Sequence, residues 1–293
     1  MNKYLPLDPA WRLILLIAVP VYLLANIYLV SLGEVTGVLL RSGYTFYMLL
    51  LLWLTKRITE PLVVGETMPS ENKPRLRAQL AVILAVILLT GLHSESIPLW
   101  SNMAAWFRAL GDSTLPAEWF GGPGNVVSNP VQYFVIPILL LLLLGARPRE
   151  LGFRRGNKSM QVSLLWLAVP AVVLIGLLVT GNLAPQALVR RIVSNTFQNG
   201  FFEEFLFRGA LQTRLSYFLI TPWTLASQAL IFGLWHLQAN TMAMNGNLLA
   251  GLALCLVSQT VTGFVFGYIL LRTRNLLAPT VAHVAMNVMG QSL

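Results

Sequence analysis

Long apolar runs separated by short polar links dominate the chain. Nine runs, at about 13 to 32, 36 to 55, 78 to 92, 131 to 145, 162 to 181, 192 to 213, 221 to 240, 248 to 271 and 275 to 290, are expected as membrane helices. A perpendicular span needs about 20 mostly apolar residues, and several runs are shorter. The expected fold is therefore all-α, a polytopic membrane helix bundle with eight to nine transmembrane helices. The first run, Leu13 to Leu32, follows Lys3 and Arg12 as a signal peptide would, but its length and the missing small-x-small cleavage pattern favour a retained span. The ending "GQSL" offers no prenylation cysteine.

The links carry the charge. Lys56, Arg57, Lys73, Arg75 and Arg77 mark one link, and Arg147, Arg149, Arg154, Arg155 and Lys158 another. If all nine runs cross, both links lie on the side of the amino terminus, together with Arg214, Arg272 and Arg274, and the positive-inside rule makes that side cytoplasmic. Arg190 and Arg191 fall on the opposite side and break the pattern. The stretch near 93–130 mixes Trp100, Trp106 and Trp119 with "GGPG", as an interfacial loop with a surface helix would. Two regions follow: 1–145, an amino-terminal transmembrane region containing that loop, and 146–293, a carboxy-terminal core entered through the basic link.

Composition agrees with a membrane protein. The chain is 56% hydrophobic and 11% charged, with a mean hydropathy of +0.69, against roughly 25% charged residues in soluble domains. The net charge of +9 does not call for nucleic acid, because membrane topology already accounts for most of the Lys and Arg. Cys255 is the single cysteine, which excludes an intrachain disulfide and a cysteine metal cluster; it reads as a small buried hydrophobe.

Against this background the acids stand out. Residues 151–293 contain two, Glu203 and Glu204, side by side in the apolar stretch "FFEEFLFRGALQTRL". A charge in hydrocarbon costs several kcal/mol, so such a cluster is a functional candidate by default. On an α-helix Glu204 and Arg208 share a face at i, i+4, while Glu203 points about 140° away from Arg208. One carboxylate is compensated and the other is left to act as a general base. The competing reading is a buried ion network that only pins helices together.

Two further runs each add a polar face. In "FGLWH" Phe232 and His236 lie at i, i+4, and in "HVAMN" His283 and Asn287 do the same. Taken singly, each is what helix-to-helix hydrogen bonding would produce. The third histidine, His93, sits near a helix end beside Ser94 and Glu95, where an interfacial role suffices. At about 1.5 Å per residue from the links near Phe218 and Thr273, Glu203, His236 and His283 lie about 22, 27 and 15 Å along their helices, so tilt and side-chain length let them meet.

The ordered set "EEFLFR" at 203–208, "FGLWH" at 232–236 and "HVAMN" at 283–287, preceded by "RPRELGFRR" at 147–155, resembles the CAAX-protease and bacteriocin-processing family of intramembrane glutamic endopeptidases. The resemblance covers about 146–293. It implies that Glu203 and His236 activate a water, that His283 and Asn287 stabilise the oxyanion, and that Glu204, Arg208 and Phe232 orient the site. It also implies metal-free hydrolysis with no cofactor, a membrane-anchored peptide or protein substrate, the lipid bilayer as surroundings and a multi-pass location in a prokaryotic plasma membrane. Zinc held by Glu203, His236 and His283 is the alternative, although no HExxH is present. Outside proteolysis, the same residues suit a proton-coupled transporter, for which repeated halves are missing, or a non-proteolytic scaffold or immunity protein.

Overall fold

The computed structural model describes residues 8–61, 73–91 and 97–292, and every regular element among them is helical. Six helices are long and apolar enough to cross a membrane: Pro9–Ser31, Val35–Ile58, Lys73–Gly91, Pro123–Leu143, Ser159–Val179 and Leu248–Thr273. The chain is thus an all-helical, integral membrane protein. The remaining apolar runs are helical as well. One forms a continuous helix over 185–215, and the others form Thr221–Trp235 and Leu277–Gly290. His93 and its neighbours Ser94 and Glu95 lie outside the described residues.

Three of the boundaries that differ from those read along the chain have a local reason. The run expected from 131 starts at Pro123, because proline is favoured in the first helical turn and "GGPG" supplies it. The run expected from 192 starts at Pro185 in the same way. Its first part, Pro185–Asn195, is a surface helix carrying the exposed Arg190. The run expected over 221–240 divides at His236, which takes bridge-region angles (φ −89°, ψ 4°) between Thr221–Trp235 and Leu237–Ala243. The stretch near 93–130 holds the helix Pro98–Thr114 and a short turn, Ala117–Phe120, before Pro123.

The helix ends gather into two groups. At one, Arg272 donates to Thr59 Oγ1 (2.8 Å) and the Lys56 carbonyl (3.2 Å), Asn157 N to the Thr273 carbonyl (2.7 Å), and Gln79 to the Leu144 carbonyl (2.9 Å). Asn275 donates to the Arg154 carbonyl at the same end. This is the basic end. At the other, Asn129 donates to the Gln198 carbonyl (2.8 Å), Gln198 to that of Phe120 (3.1 Å), Arg191 to Ser292 Oγ (2.6 Å) and Asn195 to Gln291 Oε1 (2.9 Å). Side-chain-to-backbone bonds satisfy carbonyls that helix ends leave free.

The largest buried cluster joins Ile83, Val86, Tyr133 and Leu141 to Phe205, Leu206, Phe207 and Leu211, so the glutamate helix is packed by residues from both halves of the chain. Close approach depends on missing side chains. A Cβ at Gly200 would strike Val284 of the Leu277–Gly290 helix, and one at Gly263 would press on Ala229 and Phe232 at about 3.0–3.1 Å. Small residues at such crossings let backbones meet where lipid supplies no hydrophobic drive between helices.

Candidate active site

The glutamate helix is not uniformly α-helical. Thr196–Gly200 and Phe205–Gln212 are π-helical, and Phe201–Glu204 between them is α-helical, so both carboxylates sit between two wide turns. Such turns recur at functional sites because the wider turn re-aims side chains. The angle of about 140° between Glu203 and Arg208 assumed an α-helix throughout and does not describe this segment. The i, i+4 pairing of Glu204 with Arg208 nevertheless forms, with Nη1 3.2 Å from Oε1 and both side chains fully buried.

Arg208 is held from three sides. Its Nη2 donates to the Gly263 carbonyl at 3.3 Å, and its guanidinium lies over the Phe232 ring at 4.2 Å and near the Phe266 ring at 5.5 Å. A desolvated cation over an aromatic face gains about 2 kcal/mol. Gln228 donates to the same Gly263 carbonyl at 2.7 Å, and Gln212 donates to that of Gly267 at 2.9 Å. Glu204 Oε1 meets His283 Nδ1 at 2.8 Å, and the His283 ring stacks on Phe266 at 4.9 Å and 22°. Arg208, Glu204 and His283 form one continuous chain of polar contacts.

Glu203 stands at the end of that chain. Its Oε2 lies 4.0 Å from His283 Nε2 and 4.0 Å from His236 Nε2. These separations exceed a hydrogen bond and match two groups addressing one small polar molecule between them. His236 Nδ1 lies 2.9 Å from the Phe232 carbonyl. A carbonyl only accepts, so Nδ1 carries a proton and Nε2 is the nitrogen that faces Glu203. The His236 side chain is 22% exposed and those of His283 and Glu203 6%, so the approach to the cluster is from the His236 side.

The structure brings six of the seven residues singled out from the sequence into this cluster: Glu203, Glu204, Arg208, Phe232, His236 and His283. Phe232 contacts both imidazoles, at 4.8 Å to His236 and 6.5 Å to His283. Asn287 follows one turn beyond His283, partly exposed, and its side chain makes no hydrogen bond among the described residues. Cys255 is buried and accepts from Asn240 at 3.1 Å, in a small network with Gln259 apart from the cluster.

Sequence reasoning passed over several residues. Gln212 extends the Glu204–Arg208 spacing by another four positions, and Gln228 precedes Phe232 by four, so both left a readable signal. Phe266, Gly263, Trp235, Thr90 and Tyr133 left none, being ordinary members of apolar runs. Trp235 contacts His236 at 4.9 Å and Tyr133 at 5.3 Å, and donates to Thr90 Oγ1 at 2.9 Å. The site is thereby buttressed by the amino-terminal region.

Among the described residues no group of three or more His, Cys, Asp or Glu side chains is arranged to hold a metal ion. A tetrahedral zinc with bonds of about 2.0–2.1 Å would set its ligand atoms about 3.3 Å apart, closer than the 4.0 Å between Glu203 Oε2 and each imidazole.

Residues 165–289 match the family model described as Rce1-like, type II CAAX prenyl endopeptidase Rce1-like. The match contains every residue of the cluster and agrees with the resemblance to the CAAX-protease and bacteriocin-processing family. It spans somewhat less than half of the chain. Comparison with curated proteins and with solved structures gave no match.

Proposed function

We propose that the protein is an intramembrane endopeptidase that cleaves membrane-anchored peptides or protein tails with a water activated by Glu203 and His236, without a metal. One observation carries the reading: one carboxylate oxygen, Glu203 Oε2, lies 4.0 Å from each of two imidazole nitrogens inside an otherwise apolar bundle. The Rce1-like match supports the reaction class and leaves these roles to the geometry.

The charge balance gives the site its chemistry. Glu203, Glu204 and Arg208 together carry one net negative charge when ionised, and burial strongly favours neutrality. One further proton held within the cluster neutralises it. With Glu204 accepting from His283 Nδ1, that proton on His283 Nε2 makes an imidazolium aimed at the Glu203 side, a donor suited to a developing oxyanion. Glu203 removes a proton from water as the oxygen attacks the scissile carbonyl carbon. The proton then passes to the leaving amine as the C–N bond breaks. His236, with Nδ1 tied to Phe232, keeps its Nε2 turned to the same water. Asn287 adds a neutral donor to the oxyanion, and Arg208 acts through Glu204 as a positioning residue.

The decisive experiment compares peptide termini in membranes of cells carrying the native protein or Glu203→Gln. New termini that vanish in the variant, and that persist with purified protein in chelator, support the proposal. Cleavage that chelator abolishes and added zinc restores points to the metal alternative. Unchanged termini together with full biological activity of Glu203→Gln would leave a scaffold or immunity role.

A further inference from the structure

A cavity of about 380 Å³ lies at the end of the bundle opposite the basic links, walled by Arg108, Asn125, Asn129, Gln132, Tyr133 and Gln238 among others. Its size is that of a small-ligand or short-peptide site. Most of its wall comes from residues 89–133, outside the stretch that matches the Rce1-like family. It adjoins the candidate active site through Trp235: Thr90 and Tyr133, both in the wall, touch the Trp235 ring, which touches His236. Gln238 follows His236 by two residues.

The polar groups of the wall divide into engaged and available. Gln132 accepts from Trp100 Nε1 at 3.1 Å and donates to Ser128 Oγ at 2.8 Å, and Asn129 donates to the Gln198 carbonyl. Arg108 is the charged residue of the wall, and no carboxylate among the described residues stands within ion-pair distance of it. Asp112, one turn further along the same helix, accepts instead from Gly124 N at 2.8 Å. The side-chain amides of Asn125 and Gln238 make no hydrogen bond among the described residues. The site therefore offers a guanidinium fork and two amides, next to the apolar surfaces of Leu89, Ala104 and Met242.

We infer that this cavity is a substrate subsite that binds a carboxylate carried by the peptide close to the scissile bond, with Arg108 as its specificity-determining residue. Arg108, Asn125 and Gln238 are exposed at the mouth of the cavity, and a planar guanidinium there matches a carboxylate through two parallel hydrogen bonds. In naming the ligand as a peptide substrate, the inference rests on the endopeptidase reading. The carboxylate has two sources, a peptide's free carboxy terminus or an acidic side chain, and the test separates them.

The full chain, reconstituted in phosphatidylcholine nanodiscs, is offered internally quenched apolar decapeptides. One set ends in a free carboxylate and one in an amide; a third, amidated, carries Glu, Gln or Lys at successive positions. Binding is read on Glu203→Gln and cleavage on the native chain. Carboxylate probes are expected to bind about two- to tenfold tighter than their neutral counterparts. Arg108→Gln should erase that preference, and Arg108→Glu should transfer it to the Lys probe, a gain that a misfolded variant cannot show. Equal binding of all probes, a preference that survives Arg108→Gln, or an Arg108 effect that follows added phosphatidylglycerol rather than peptide charge would overturn the inference. Arg108-dependent binding without Glu203-dependent cleavage supports the subsite and sinks the peptidase reading; Glu203-dependent cleavage indifferent to Arg108 does the reverse.

Discussion

Two buried arginine–glutamate pairs involve the same helix, and their surroundings separate structure from chemistry. Arg214 lies 3.7 Å from Glu150, donates to the Glu150 carbonyl and to Thr213 Oγ1, and Glu150 in turn accepts from Arg147 N at 3.2 Å. Every charge there has an opposite charge or a backbone partner, and the pair fastens the basic link to the glutamate helix. Arg208 and Glu204 are as deeply buried, yet beside them stands a second carboxylate, Glu203, with two imidazoles 4.0 Å from it. A buried ion pair by itself is weak evidence of anything but architecture. A surplus acid, a histidine with a fixed proton and an accessible edge are what make the second pair part of a candidate site.

Substitutions can break this contrast at either end. The largest effect is expected from Glu203→Gln, which should lower turnover by about 10²–10⁴-fold while the unfolding temperature of the detergent-solubilised protein stays put. A variant that also unfolds would make Glu203 a structural residue. Arg214→Met should instead cost about 3–5 kcal/mol of stability by stranding Glu150, with activity per folded molecule unchanged. Adding Glu150→Leu should restore most of that loss. The equivalent double replacement at Arg208 and Glu204 should recover stability without recovering cleavage, and recovery of both would erase the distinction.

Asn287→Ala comes next: a lost oxyanion donor lowers kcat by about 10²–10³-fold, whereas stability should move by less than about 0.5 kcal/mol because the amide has no partner to lose. A stability loss without a rate loss would return Asn287 to helix packing. The smallest effect is expected from Thr90→Val, which leaves Trp235 Nε1 without its acceptor. That should cost about 1–3 kcal/mol and raise KM more than it lowers kcat, since Trp235 stands between His236 and the cavity rather than on the reacting atoms. Thermal unfolding and steady-state kinetics on one probe peptide check both.

Most of the site was legible because polar residues are costly in an apolar chain. Glu203, Glu204, Arg208, His236 and His283 were visible as exceptions to the pattern around them, and the spacing of Glu204 and Arg208 was enough to pair them. Phe266 was invisible for the opposite reason: a phenylalanine in an apolar run carries no signal, although it stacks on His283. The surface helix carrying Arg190 and Arg191 was readable only as a fault in the charge pattern, since the apolar run and the amphipathic turn before it continue without a break.

The order of apolar runs and the rarity of charge determined by themselves that this is a helical membrane protein with an acid, a base and an arginine held among hydrocarbon. Which of those groups touch was decided by the tertiary structure. The π-helical turns around Glu203, the break at His236 and the crossings at Gly200 and Gly263 depend on side chains far apart along the chain. Hydropathy and periodicity report the solvent each residue prefers, whereas a 4.0 Å meeting of three helices depends on how closely their backbones pack.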